Sequence, residues 1–533
     1  MPMILQPHGR RNVAPWRKYR GDSMRRAPRP LPALLLLLLV THFSGPAPAA
    51  DSIPWFEGGV EAAFSEARRS GKPLFLYWGA VWCPPCQQLK ATIFRRPEFL
   101  RQIRLFVPVY LDGDTPDAQR WGSRFRVRGY PTVILFAPDG RELTRIPGGL
   151  DIRQYAGVLN LALDRMEPVG ELLDRVMHEG RADPQALRLL AFYSWDQDTR
   201  LAKGRREEVF RKLTAMAGGA AEPQIGDRLW MLWLHERMAR AGEAPPEAEE
   251  RRRVEQRLLE ILGRPESRRA VASSLHYASR ELTTFATGGE KKGIGRLSRA
   301  WGRAMEAERN TPDLSCASRL ATWLPAVELH RLVSPDEEPS STLIDHIRRE
   351  VARCNRETTD PYERQAVVNM AVYLLQTAGL EQEAKSLLKA ELERSRSPFY
   401  FMVELADLAR QAGRPEEALR WLERAHDSAR GPATRFQWGT YHVLGMVELT
   451  PEEGEAIERA AIALLTELSR SPDALFGRNL RRLHTLGEGL RAWAGESDGH
   501  PRLERIQDAF APACERLGQS EEPFDCKGWL TAK

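Results

Sequence analysis

Two cysteines in the run Trp82-Cys83-Pro84-Pro85-Cys86 are the side chains of this 533-residue chain best suited, by type and spacing, to do chemistry. A Cys-x-x-Cys pair can close a small disulfide. On the first turn of a helix, the unpaired amides and the helix dipole stabilise a thiolate on the first sulfur. The chemistry implied is thiol–disulfide exchange, with Cys83 as nucleophile and Cys86 as resolving thiol. Zinc is a competing use of such a pair, but a structural zinc site takes four N or S ligands and a catalytic one three. Between Asp51 and Asp164 there is no histidine and no further cysteine, so no metal is expected. An inert structural disulfide is the other alternative, and a tight pair on a first helical turn is a strained place for a staple.

The flanking sequence supplies elements that could hold the pair in that position. Val60 to Arg69 reads as a helix with Val60, Ala63, Phe64 and Ala67 on one face, and Pro73 to Trp78 as a buried strand leading to the dithiol. The active-site helix follows from Gln87. Leu105 to Leu111 reads as a second buried strand, and a loop with Asp112, Gly113 and Asp114 leads through a short helix to Val127-Arg-Gly-Tyr-Pro131-Thr132. Val133 to Phe136 and Glu142 to Ile146 flank an Asp139-Gly140 turn as a hairpin, and Arg153 to Met166 closes the unit as a helix. Helices alternating with strands and ending in a hairpin give an α/β fold, a mixed sheet with helices on both faces.

This order resembles the thioredoxin superfamily from Trp55 to roughly Met166. It is similar to the thioredoxin-like domains of bacterial envelope proteins, including the periplasmic C-terminal domain of the DsbD type. The likeness rests on Ala62-Ala63-Phe64, Lys72-Pro73, the Cys83 to Cys86 motif, Gly129-Tyr130-Pro131-Thr132 and Gly148-Gly149. It implies that Pro131 is cis beside the disulfide, and that Trp82, Tyr130 and Pro131 meet the substrate, Tyr130 through its backbone. An X-Pro bond is the one that adopts cis at modest cost.

The chain departs from the family pattern at a buried Asp–Lys pair that assists proton transfer. Tyr77 and Tyr110 occupy those positions, and a phenol with a reference pKa of about 10 is a poor base near neutral pH. Proton transfer is then left to water or substrate. Pro84 and Pro85, the active-site dipeptide, carry no charge and no N–H to stabilise a thiolate. That favours a reducing couple, and reductase or isomerase work over oxidase work.

The net charge of +6 misleads, because residues 1–30 hold eight basic side chains against one acid and the rest of the chain is close to neutral. The basic balance therefore reports a leader and gives no support for nucleic-acid binding. Residues 1–50 read as a signal peptide or N-terminal anchor: a basic n-region, an apolar run from Leu31 to about Val40, and small residues Ala47-Pro48-Ala49-Ala50 suited to cleavage. The apolar run is shorter than the roughly 20 residues that span a bilayer. A periplasmic location follows, and an oxidising compartment suits six cysteines that all lie beyond the leader. Cys514 and Cys526 are close enough in sequence for one structural bridge, with Cys316 and Cys354 remaining; four buried free thiols are the alternative.

The domains expected are 51–166, thioredoxin-like, and 167–533, α-helical. In the second, strand signals nearly vanish and gaps at Thr287 to Gly295 and Ser334 to Ser341 interrupt helical patterns. Ala378-Gly379, Glu383-Ala384 and Leu387-Leu388 recur 34 residues later as Ala412-Gly413, Glu417-Ala418 and Trp421-Leu422. That period resembles tetratricopeptide repeats over 363–432 and implies an all-α solenoid with a concave face for protein partners.

The sequence thus points to an exported thiol-disulfide oxidoreductase that acts on protein disulfides, with the helical domain selecting partners. No nicotinamide or flavin fingerprint is visible, so no cofactor is expected and electrons should come by thiol exchange from another protein, which could sit in the membrane. A chaperone or assembly adaptor, in which the helices bind proteins and the dithiol is regulatory or vestigial, is the rival.

Overall fold

The apolar run after Lys72 forms a strand, Leu74–Gly79 (β1), buried at every position. In the computed structural model it pairs in parallel with Val107–Asp112 (β2) and antiparallel with Thr132–Phe136 (β3), which pairs antiparallel with Glu142–Ile146 (β4). The order β2-β1-β3-β4 puts β1 inside the sheet with both faces covered, which explains a strand that is apolar throughout rather than alternating. Phe75 and Tyr77 pack on one face with Phe94, Phe99 and Tyr155. Leu74, Leu76 and Trp78 pack on the other with Val60, Ala63 and Ala67.

Helix Gly59–Ser70 (α1) precedes the sheet, and Pro84–Leu89 (α2) follows β1, running on into a π-helical turn, Lys90–Phe94. Pro97–Gln102 (α3) leads to a 3-10 turn over Ile103–Leu105, which is why β2 begins at Val107 rather than at Leu105. Pro116–Arg124 (α4) starts from the Thr115 hydroxyl, and Ile152–Arg165 (α5) from a reciprocal Asp151/Gln154 capping box.

The structure describes residues 52–198, 200–219, 222–242, 246–312, 314–335, 337–496, 500–517, 524–526 and 529–530. The expected leader lies outside them. Among the described residues, no helix is long and apolar enough to cross a membrane.

After α5 the described elements are helical. The 34-residue period corresponds to two helix pairs, Pro361–Thr377 with Glu381–Leu392 and Pro398–Gln411 with Pro415–Ser428, and Ala378-Gly379 and Ala412-Gly413 lie in the turns. A third pair, Pro432–Leu449 with Gly454–Leu468, continues the array. The gap expected over Thr287 to Gly295 is shorter: helix Lys291–Arg309 resumes directly after Gly288-Gly289-Glu290.

No apolar seam separates the sheet from the helices. The core holding Phe75 and Tyr77 runs on to Leu172, Leu190, Trp195 and Phe210. A second core joins Ala80, Trp82, Cys83 and Cys86 to Leu324, Met370, Phe399, Tyr400 and Trp438. The cysteines are paired as Cys83–Cys86, Cys316–Cys354 and Cys514–Cys526, with Cα separations of 5.2, 5.4 and 5.7 Å.

Candidate active site

β1 ends at Gly79, and the chain turns through Ala80 and Val81 into α2 with Cys83 as its N-cap and Pro84 at the first helical position, where a missing N–H costs nothing. The Cys86 amide points at Cys83 Sγ from 3.2 Å. Pro84 and Pro85 offer no donors, so among the described residues the donor that this turn aims at the sulfur is the Cys86 amide itself. The Tyr130–Pro131 peptide is cis, and Gln197 donates to the Pro131 carbonyl at 3.0 Å from beyond α5. Tyr130 meets Trp82 edge to face with centroids 6.2 Å apart, which brings the loop before β3 to the dithiol.

Tyr77 and Tyr110 are register partners across β1 and β2 and stack at 5.4 Å. Trp55 packs on both rings at 6.0 and 5.8 Å. Both hydroxyls are buried with no hydrogen-bond partner among the described residues. Burial pushes both far above the usual tyrosine range, with Tyr110 and Asp112 adding for Tyr77, and Asp112 and Asp114 for Tyr110. Neither phenol can act as a base near neutral pH. Two further titratable groups, Lys90 and Asp112, lie close to Tyr110. Lys90, one turn after Cys86, is pulled below its usual value by burial, with Asp112 opposing; burial raises the carboxyl of Asp112, the register partner of Gly79.

The dithiol is covered. Cys83 is 2% exposed, Cys86 0% and Trp82 2%. The cover is the inner row of the helix pairs. Trp82 stacks on Tyr400 at 6.3 Å with the planes within 25° and packs against Trp438 at 5.5 Å. A polar lock accompanies this packing. The Trp82 indole donates to Thr434 Oγ1 at 2.9 Å, while the Thr434 amide and hydroxyl donate to the two Asp114 carboxylate oxygens at 2.8 and 2.7 Å. Arg478 Nη2 reaches the same Asp114 at 2.9 Å and Thr434 at 3.2 Å. Gly431 sits here because a Cβ would lie 2.7 Å from Asp114 Cγ, and its φ of 84° suits glycine. On the far side, Gln88 of α2 donates to Ser315 at 2.7 Å and Arg95 pairs with Asp360 at 3.0 Å.

The geometry thus brings together Cys83, Cys86, Trp82 and Tyr130, with Pro84 and Pro85 on the first turn of α2 and Pro131 joined to Tyr130 by the cis bond. Cys514 and Cys526 lie in a different core with Leu503 and Trp529. Thr434, Tyr400, Trp438 and Arg478 were not legible as site residues, because nothing local in sequence marks a contact made across more than 300 residues.

A family model described as a thioredoxin-like domain matches residues 60–163. Among curated relatives, thiol:disulfide interchange protein DsbD 1 of Pseudomonas aeruginosa is 29% identical over 110 residues, which is 20% of this chain and 19% of that protein. The DsbD of Pseudomonas fluorescens is 30% identical over 100 residues, 18% and 17% of the two chains. The chain therefore matches less than a fifth of the length of these relatives. The solution structure of a thioredoxin from Thermus thermophilus, 26% identical, covers 21% of this chain and 88% of its own, with a TM-score of 0.20.

Proposed function

From a chain that carries a thioredoxin-like domain over residues 60–163, we propose a thiol-disulfide oxidoreductase of the bacterial periplasm, working as reductase or isomerase on protein disulfides, with the helix pairs controlling which partners reach the dithiol. The observation that carries the chemistry is the Cys83–Cys86 pair capping α2, with the Cys86 amide aimed at the Cys83 sulfur. In the reductive cycle the Cys83 thiolate attacks one sulfur of a substrate disulfide and releases the other as thiolate. Cys86 then attacks Cys83, re-forms the internal disulfide and releases the second substrate thiolate. The substrate gains two electrons, which an external dithiol protein must restore to the pair.

The cover supports the partner-control half of the reading. With Cys83 at 2% exposure, no protein disulfide can approach the sulfur until the helices around Tyr400 and Thr434 shift. In this reading the helices that carry Tyr400 and Trp438 are the partner-binding ones, and the dithiol loop of the same chain packs against them. The same burial supports a second reading, an adaptor in which the helices bind partners and the dithiol regulates them.

Dithiothreitol-driven reduction of a model disulfide protein separates the two. Catalysis by the wild type that is lost in Cys83→Ser supports the oxidoreductase, and equal rates in the two proteins leave the adaptor.

A further inference from the structure

The surroundings of Tyr130 are crowded with arginines. Arg478 lies with its guanidinium carbon 5.4 Å from the Trp82 ring centre and 5.5 Å from that of Tyr130, so it touches the residues that precede both Cys83 and Pro131. It is 6% exposed. Its Nη2 is shared among Asp114, Thr434 and the Gly113 carbonyl, whereas Nε and Nη1 are buried without a partner among the described residues. A buried charged donor left unmatched is costly, and folded proteins seldom keep one without a use.

Arg481 follows on the same helix, half-buried. Burial lowers its pKa; Tyr130 opposes this, and the positive charges of Arg482, Arg478 and Arg128 lower it further. Arg482 lies over the Tyr441 ring at 5.2 Å, and Arg128 is exposed two residues before Tyr130. Arg478 already holds Asp114, and its charge also reaches Asp112. Four guanidiniums therefore gather around Tyr130, spread from an exposed loop to a partly buried helix. A single small anion could not span that spread, whereas successive carboxylates along an extended chain could, and the planar guanidinium fork suits carboxylate oxygens.

We propose that Arg128, Arg478, Arg481 and Arg482 form a docking subsite for an acidic polypeptide segment adjoining the substrate's disulfide. Carboxylates engage Arg128 and Arg481 first, and reach the unmatched Nε and Nη1 of Arg478 as the cover moves. This rests on the oxidoreductase reading for its purpose, but its binding step can be measured separately.

The test uses the full-length protein and two synthetic peptides with the same disulfide, one flanked by Glu and one by Gln, together with a cysteine-free Glu peptide carrying a fluorophore. The expected result is a kcat/KM ratio of about tenfold in favour of the Glu peptide at low salt, carried by KM. That ratio should collapse towards one at high salt and in Arg128→Gln/Arg481→Gln, with a matching loss of anisotropy-detected binding of the cysteine-free peptide. Reduction of both peptides at equal rates, or a preference untouched by the double variant, would overturn the subsite and leave the oxidoreductase standing. A double variant that slows reduction of glutathione disulfide by the same factor would also overturn it, because the site would then serve any small carboxylate. Charge-dependent binding without reduction of either peptide would keep the subsite and remove the oxidoreductase.

Discussion

Thr434 accepts a hydrogen bond from the Trp82 indole at 2.9 Å across 352 residues of sequence, while donating through its own hydroxyl to Asp114 at 2.7 Å. One side chain thus ties the residue before Cys83, the loop after β2 and the inner row of helices into a single contact. The cover over the dithiol closes around it.

Replacing Thr434 by Val removes that acceptor and donor at nearly constant volume. It leaves the indole N–H and one Asp114 oxygen unmatched, at a cost of about 1–3 kcal/mol to the closed arrangement. The reduced protein should then react with a bulky maleimide at Cys83 about tenfold faster than wild type. The rate is read by gel shift, with circular dichroism to confirm that the fold is kept. An unchanged rate would mean that the cover opens by a route that does not pass through this contact.

The reduction potential follows from the donors at Cys83. Pro84 and Pro85 supply none, and the Cys86 amide is the one that approaches the sulfur, at 3.2 Å. The Cys83/Cys86 couple is expected nearer the reducing end of the superfamily, about −270 mV, than the oxidising end, about −120 mV. Glutathione titration with alkylation of the free thiols measures it. A value above about −150 mV would show that the nearby arginines stabilise the thiolate more than the proline pair withholds.

The fold and the dithiol were legible in the sequence where the signal is local. Leu74–Gly79 has no polar position because it is an inner strand, and Glu142–Ile146 pairs with β3 across the Asp139-Gly140 turn that its sequence marks. The Tyr77/Tyr110 substitution also reads correctly, since the two are register partners with buried hydroxyls. What sequence could not carry is the cover. Tyr400 and Trp438 look like ordinary core residues of their helices, and only the superposition of the helix rows on α2 places them against Trp82. For the same reason the apolar continuity from Phe75 to Leu172 and Phe210, which crosses residue 166, is not marked by any local pattern.

Glu404 gives the cover a pH dependence. It lies one turn after Tyr400 on the helix Pro398–Gln411, and burial, with Asp407 adding, raises its carboxyl to about 7. In an unfolded chain the value is about 4.3. Between the two values the folded protein holds a proton that the unfolded chain has lost, so this group's contribution to stability falls as pH rises from about 4.3 through about 7. Glu404→Gln should flatten the decline of Tm between about pH 5 and pH 8. Parallel Tm profiles for the two proteins would show that Glu404 does not retain its proton.

Partner selection is tested by trapping. In Cys86→Ser the mixed disulfide at Cys83 has no internal thiol to resolve it, so partners accumulate covalently and can be identified by mass. Truncation after α5 is a poor comparison, because it would remove Leu172, Val176 and Leu190 from a core that they share with Phe75 and Tyr155. The informative pair is Cys86→Ser against Cys86→Ser/Thr434→Val in the intact chain. If the helices restrict access, loosening the Trp82–Thr434–Asp114 contact should enlarge the trapped set and add proteins that the closed form excludes, with total trapped protein rising as well. If the same proteins are trapped in the same proportions and only the rate differs, the helices gate the dithiol without choosing its partners.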